Sequence, residues 1–315
     1  MSKTQVKSDE QTLTVPSTTR PAPPRHAWRN ALLAVGLLLV MFWSFTGVQV
    51  NIKDLVQGAP QMADTLSRMV PPDFTRVTDP AVYDVPEEIT PTELLAPVPL
   101  DEEKTRIKTY WWNNSFPQTI VGATLQTIQM ALAGTFLAVI VAFPLAFLAA
   151  RNTSPHPALY HAIKLGTNFF RTIPDFAVAL ILVAAIGLGP FAGTMALAFH
   201  TSTVLIKLFA ESIEDIDHGV VEALQATGAR YMQILSFAVV PQVMPAFISF
   251  LLYRFETNIR AATVLGLIGA GGIGFIMNSD FRMFQYQQGA MTIAVLIVLV
   301  MAVDYLSARL RKMVT

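Results

Sequence analysis

Charged residues set inside long apolar runs are where this sequence concentrates its chemistry. Arg171 lies about 13 residues into one such run, roughly 20 Å along a helix, with Asp175 one turn further on. Arg254, Glu256 and Arg260 lie in another run, toward the half that the topology below places outermost. A charge near the middle of a bilayer costs at least about 2.5 kcal/mol, so each of these residues needs a reason to be there. Arg260 and Glu256 are spaced to pair at i, i+4, whereas Arg254 and Glu256, two apart, point away from each other on a helix. The arginines either form internal ion pairs and snorkel to an interface, or line a route for an anion. Asp175 is placed to neutralise Arg171, and Asn168 and Asn258 offer neutral polar contacts under either reading.

A second group is the run Gly269-Ala270-Gly271-Gly272-Ile273-Gly274. It satisfies G-x-G-x-x-G but follows a long apolar helix rather than a strand, and no βαβ unit surrounds it, so it is no dinucleotide fingerprint. Two structural readings are close helix packing and a turn. The functional one is a concave nest of backbone N–H groups around an anion, with Gly269, Gly271 and Gly272 at its centre. Covalent chemistry finds little support. The chain has no Cys, its five His residues are scattered, and His200 beside Ser202 has no carboxylate to orient it. No G-x-x-x-x-G-K-[ST] occurs, so the chain binds no ATP through such a loop.

The elements that must hold these residues are membrane spans. Of 315 residues, 53% are hydrophobic and 14% charged, against about 25% charged in soluble domains. A net charge of zero argues against a nucleic-acid partner. Residues 1–30 are polar and rich in Pro and Thr, and read as a disordered tail. Residues 31–50 are long enough for a retained span rather than a signal peptide, with Phe42, Trp43 and Phe45 suited to an interface belt. Residues 51–117 form a Pro-rich soluble insert in which 101–113 suggests an interfacial helix, with Trp111 and Trp112 at headgroup level. Residues 118–315 hold five further spans, near 119–150, 158–187, 191–210, 237–267 and 290–308, with Pro144 and Pro174 predicting bends. The predicted fold class is all-α, a polytopic bundle of about six spans. The N-terminal tail, the Arg151 loop and the Arg309, Arg311, Lys312 end are basic, while the insert carries six Lys/Arg against eleven Asp/Glu. By the positive-inside rule both termini are cytoplasmic and the insert is outside.

That orientation puts 211–241 in the cytoplasm. Its core, EALQATGARYMQILSFAVVPQ from Glu222 to Gln242, reads as a helix, a Gly corner and a second helix. Glu222, Ala223, Gly228 and Pro241 stand at the spacing E-A-A, three residues, G, nine residues, I-x-L-P, with Leu224, Ala238 and Val240 as apolar departures. This resembles the EAA loop of ABC-importer permeases, whose coupling helices seat in an ATPase subunit. The acidic run Glu211, Glu214, Asp215, Asp217 ahead of it is a solvated face or a docking rim.

Further segments, FFRTIPDFAVALILVAAIGLGPFAG (169–193), KLFAESIEDID (207–217) and ETNIRAATVLGLIGAGGIGF (256–275), are similar to the phosphonate (PhnE-type) permease family with its phosphite and hypophosphite relatives. The resemblance covers roughly Thr119 to the C-terminus. It implies a type I (MetI-like) importer permease fold and two copies of the chain around one pathway. It also implies a pair of ATPase subunits carrying ATP and Mg, since this chain would hold no cofactor. A periplasmic or extracellular oxyanion-binding protein would deliver the solute. A permease of the same architecture for another solute, such as methionine, is the alternative. An ATPase-independent transporter fits the well-formed loop poorly.

Overall fold

The computed structural model describes residues 27–48 and 52–314 and divides the chain into a smaller unit, residues 1–62, and a larger one, 63–315. Most of the expected tail, residues 1–26, lies outside the described residues, as do residues 49–51. Ala27 to Asn30, assigned to the tail on sequence, already belong to α1 (Ala27–Gly47). This helix is apolar all round, and none of its hydrophobic window is buried against protein, as suits a segment solvated by lipid. Helix α2 (Ile52–Arg68) follows, with Pro60 inside it.

In the larger unit the rest of the insert builds a small core of its own. Short helical turns at Thr75–Thr78, Pro80–Tyr83 and Pro91–Leu95 precede α3 (Glu102–Tyr110). Trp111 is 4% exposed and packs with Ile89 and Leu94, with Trp112 partly buried against the same cluster. The reason is hydrogen-bond supply. The Pro-bounded turns leave carbonyls free, and Trp111 Nε1 donates to Tyr83 O (2.8 Å) and Trp112 Nε1 to Leu94 O (3.1 Å).

The membrane part comprises α4 (Ile120–Ala149), α5 (Pro157–Arg171), α6 (Asp175–Ile186), α7 (Pro190–Glu214), α8 (His218–Ala226), α9 (Tyr231–Gly266), α10 (Gly272–Arg282) and α11 (Tyr286–Val314). With α1, five helices among the described residues are long and apolar enough to cross a membrane, and the α5–α6 pair makes a sixth span if its 83° bend at Thr172–Pro174 is counted within one crossing. Helices α4 and α7 pack most extensively. Ala138, Ala142 and Ala146, spaced one turn apart on α4, are fully buried against Leu205 and Phe209 of α7. In lipid, helices associate through close van der Waals contact, which small residues permit. At Gly134 a Cβ would come within 2.9 Å of Leu197 Cβ. Stacking of Phe209 on Phe247, with centroids 3.9 Å apart, ties α7 to α9. Helix α10 lies outside the spans expected from sequence, because Asn278, Ser279 and Asp280 break its apolar pattern. It packs back on α9 so closely that a Cβ on Gly274 would lie 1.9 Å from Thr263 O.

Candidate functional site

A polar chain runs through the middle of the bundle. Asn258 Nδ2 donates to Thr135 Oγ1 (2.8 Å), Thr201 Oγ1 donates to Asn258 Oδ1 (2.9 Å), and Arg254 Nη2 donates to Thr201 Oγ1 (3.2 Å). Thr135 and Thr201 lie near the midpoints of α4 and α7, so Arg254 is at mid-span, not in the outer half that its position along the sequence suggested. Arg254 is 8% exposed, has no ion-pair partner among the described residues, and its Nε is buried without an acceptor. The one other buried side-chain atom so placed among the described residues is His200 Nδ1, on α7 beside Thr201. Arg254, Asp175 and Arg171 all act on His200 electrostatically.

Arg171, Arg254 and the Asp175 carboxylate are thus within electrostatic reach of His200, a residue that the sequence presents only as a weak catalytic candidate. An isolated His in an apolar span was the available signal. The expected neutralisation of Arg171 by Asp175 does not occur. The bend puts the two on different helices, Arg171 is exposed, and Asp175 Oδ1 instead accepts from Phe176 N–H (2.8 Å). Arg260 is not part of this group. It bonds Glu256 (3.0 Å) and Asp304 of α11 (2.6 Å), the internal pairing its spacing allowed, and Arg311 completes the set on Glu256 (3.2 Å).

The glycine run makes a turn in which four backbone donors are taken. Gly269 N–H bonds Gly266 O (3.0 Å) and Ala270 N–H bonds Leu265 O (3.2 Å). Gln126 and Thr127 of α4 accept from Gly272 N–H (2.7 Å) and Ile273 N–H (2.9 Å), capping α10. Positive φ at Gly269, Gly271 and Gly272 (94°, 82° and 70°) explains the residue type, as the packing and turning readings expect.

The segment from Glu222 onward folds as its residues demand. Asp217 caps α8 through Gly219 N–H (2.8 Å), Gly228 turns the chain at φ 78°, and α9 starts at Tyr231. A π-helical turn over Leu235–Val239 absorbs the missing N–H of Pro241, and α9 continues through Pro245. Glu222, Ala223, Gly228 and Pro241 all face outward to some degree, and the Glu222 carboxylate has no partner among the described residues. The knuckle is braced from behind. Tyr231 OH donates to Thr153 O, Arg151 N–H to Glu214 Oε1 (2.9 Å), and Asn152 Nδ2 to Ile213 O (2.5 Å).

Apolar spans, a buried polar chain at mid-span and an exposed helix–glycine–helix knuckle define a membrane permease worked by other subunits. Residues 142–314 match the family described as "Binding-protein-dependent transport system inner membrane component", and the chain belongs to that family. It is a multi-pass inner-membrane permease of an ABC importer, not an enzyme, and its family implies an ATPase, which binds the ATP, and a solute-binding protein as partners. The chain is 44% identical over 188 residues to the phosphite transport system permease protein PtxC of Stutzerimonas stutzeri, covering 60% of this chain and 68% of that one. It is 41% identical over 196 residues to the phosphate-import permease protein PhnE of Mycolicibacterium smegmatis, covering 62% of this chain and 37% of that one. In fold it is similar to a chain of the MetNI methionine ABC transporter in an inward-facing conformation, with TM-score 0.55 and 20% identity over 69% of this chain and 100% of that one.

Proposed function

We propose that this permease carries a phosphorus oxyanion inward (phosphonate, phosphite or phosphate), with Arg254 as the fixed positive charge on its path and Arg171 and His200 beside it. The observation that carries this reading is the Arg254 guanidinium, buried at mid-span with one hydroxyl for a partner and an unsatisfied Nε. A guanidinium matches the oxygens of a phosphorus oxyanion in fork geometry, and desolvation strengthens that pairing. The identity to phosphite and phosphate permeases points to the same cargo. Two copies of the chain enclose the path, with both termini in the cytoplasm and residues 51–117 outside. A pair of ATPase subunits docks at Glu222, Ala223, Gly228 and Pro241. Residues 118–315 form the permease core, with 211–241 as its coupling loop. Arg260, held by Asp304 and Glu256, braces α9 against α11.

The test is uptake of phosphite and methylphosphonate by vesicles holding the permease, its ATPase and its binding protein. Arg254→Gln removes a charge-assisted contact worth about 1.5–3 kcal/mol and should cut uptake roughly ten- to a hundredfold, with Arg254→Lys retaining part of it. ATPase binding to the permease should be unchanged. Undiminished uptake by Arg254→Gln would remove the residue from the path.

A further inference from the structure

The insert and the glycine turn, which the path through Arg254 leaves without a role, meet at one cavity of about 580 Å³. Its floor is the contact of two loops. Gly189 N–H donates to Gly269 O (3.0 Å), and Gly269 holds a φ of 94°, a conformation that favours glycine. One wall is α10, with Ser279 and Asp280, and another is Gln126 of α4. The remaining wall is the insert, through Arg76, Asn113 and Asn114. The π-helical turn Trp111–Ser115, anchored by its buried Trp111, swings Asn113 to this side.

The electrostatics of the cavity are one-sided. Arg76 Nη1 bonds Asp280 Oδ2 (2.7 Å), but the Asp280 side chain is 4% exposed and the Arg76 side chain 19%. Thr292 Oγ1 also donates to that carboxylate (2.8 Å), so Asp280 is shut behind its partners. The guanidinium is the charge that reaches the space, with one of its five N–H groups accounted for by Asp280. Gln126 Oε1 is fixed by Gly272 N–H, which leaves its amide N–H groups as donors, and the Asn113 side chain has no hydrogen-bond partner among the described residues. A cation would find no open carboxylate here. A water fills about 30 Å³ of liquid, so the space holds a small oxyanion with several waters still attached.

The geometry points to a receiving site for the phosphorus oxyanion, in which Arg76 and the amides of Asn113 and Gln126 hold the solute before it reaches the Arg254 path. This rests on the oxyanion reading above and adds a second station to it, on the face where the insert lies. The insert thereby supplies one wall of the site and its charge.

The chain has no cysteine, which makes the test direct. Ser279→Cys is a near-isosteric change inside the cavity. In the permease–ATPase complex in lipid nanodiscs, without binding protein, its labelling by an anionic methanethiosulfonate is timed with and without phosphite or methylphosphonate. Labelling should slow about tenfold once the probe reaches ten times its Kd. Glu102→Cys, on the exposed face of α3, should show no protection. Arg76→Lys keeps a cation for Asp280 but loses the fork, and should weaken protection about tenfold in Kd. Unslowed labelling of Ser279→Cys would overturn the site, as would equal protection at Glu102→Cys or protection unchanged by Arg76→Lys. Protection by the solute-free binding protein but not by phosphite would make the cavity a protein-docking surface instead. A permease that carries phosphite into vesicles holding its ATPase and binding protein, yet shows no protection in nanodiscs, refutes the cavity alone. One that takes up no phosphorus oxyanion refutes the reading beneath both.

Discussion

Gly228 is the residue on which the exposed knuckle turns. Its φ of 78° costs an L side chain roughly 1–2 kcal/mol, although nothing lies within 4 Å of a Cβ placed there. The penalty is conformational, not steric, so substitutions should rank by their tolerance of the left-handed region. Solute carried per ATP hydrolysed should fall in the order Gly228, Gly228→Asn, Gly228→Ala, Gly228→Pro, and a flat series would mean that the corner does not transmit force. Glu222 is different, since it has no partner to lose. Glu222→Lys should leave the Tm of the purified chain unchanged while abolishing ATPase-driven uptake, and a lowered Tm would make it a folding residue. These residues were legible in the sequence because a Gly corner and the caps around it are local. Arg254 was legible only as a charge needing a reason. Its depth and isolation depend on Thr201 and Asn258, and Thr201 lies 53 residues away in sequence. Arg260 shows the converse: its Glu256 partner could be read from i, i+4 spacing, and Asp304 could not.

Elements carry the fold through contacts too close for side chains. A Cβ on Gly274 would meet Thr263 O at 1.9 Å, a backbone atom that cannot swing aside. Gly274→Ala should force α10 off α9 at a cost of about 1–3 kcal/mol, read as a lower Tm and less monodisperse protein in detergent. The insert answers to pH instead. The Thr90 backbone N–H, then the Lys104 ammonium and the Thr90 hydroxyl, lower the Glu93 carboxyl from 4.5 to about 2. Because the folded value lies below the unfolded one, this stabilisation is present above about pH 4.5 and is lost as pH falls toward 2. Acid titration followed by tryptophan fluorescence should show Trp111 and Trp112 losing their environment in that window. In Glu93→Gln that acid-dependent step should disappear. Apolar runs made the spans legible, and Pro174 announced the break between α5 and α6. The 83° angle, α10 and the burial of Trp111 follow from tertiary partners that no local pattern encodes.

At the scale of the molecule, the knuckle and the polar site are joined by rigid parts. Tyr231 OH on Thr153 O and Asn152 Nδ2 on Ile213 O bind the start of α9 to the 151–157 loop and to the end of α7. From that loop α5 runs to Arg171, while α7 and α9 carry His200 and Arg254, so these bonds link the knuckle to the helices that carry all three residues of the proposed path. An ATPase drives these helices only if it binds the knuckle differently in its two nucleotide states. The orientation this needs is the one that charge predicts, with basic ends and an insert of six Lys/Arg against eleven Asp/Glu. It is also open to test in a cysteine-free chain. Thr227→Cys, exposed beside the Gly228 corner, should react with a membrane-impermeant thiol reagent only from the cytoplasmic side, and binding of the ATPase should block it. Glu88→Cys, exposed in the insert, should react only from the opposite side. Glu88 suits this better than nearby Asp84, whose φ of 44° would strain a cysteine. Reversed labelling would put the knuckle out of reach of ATP, and no arrangement of ATPase subunits could then work the α5, α7 and α9 levers.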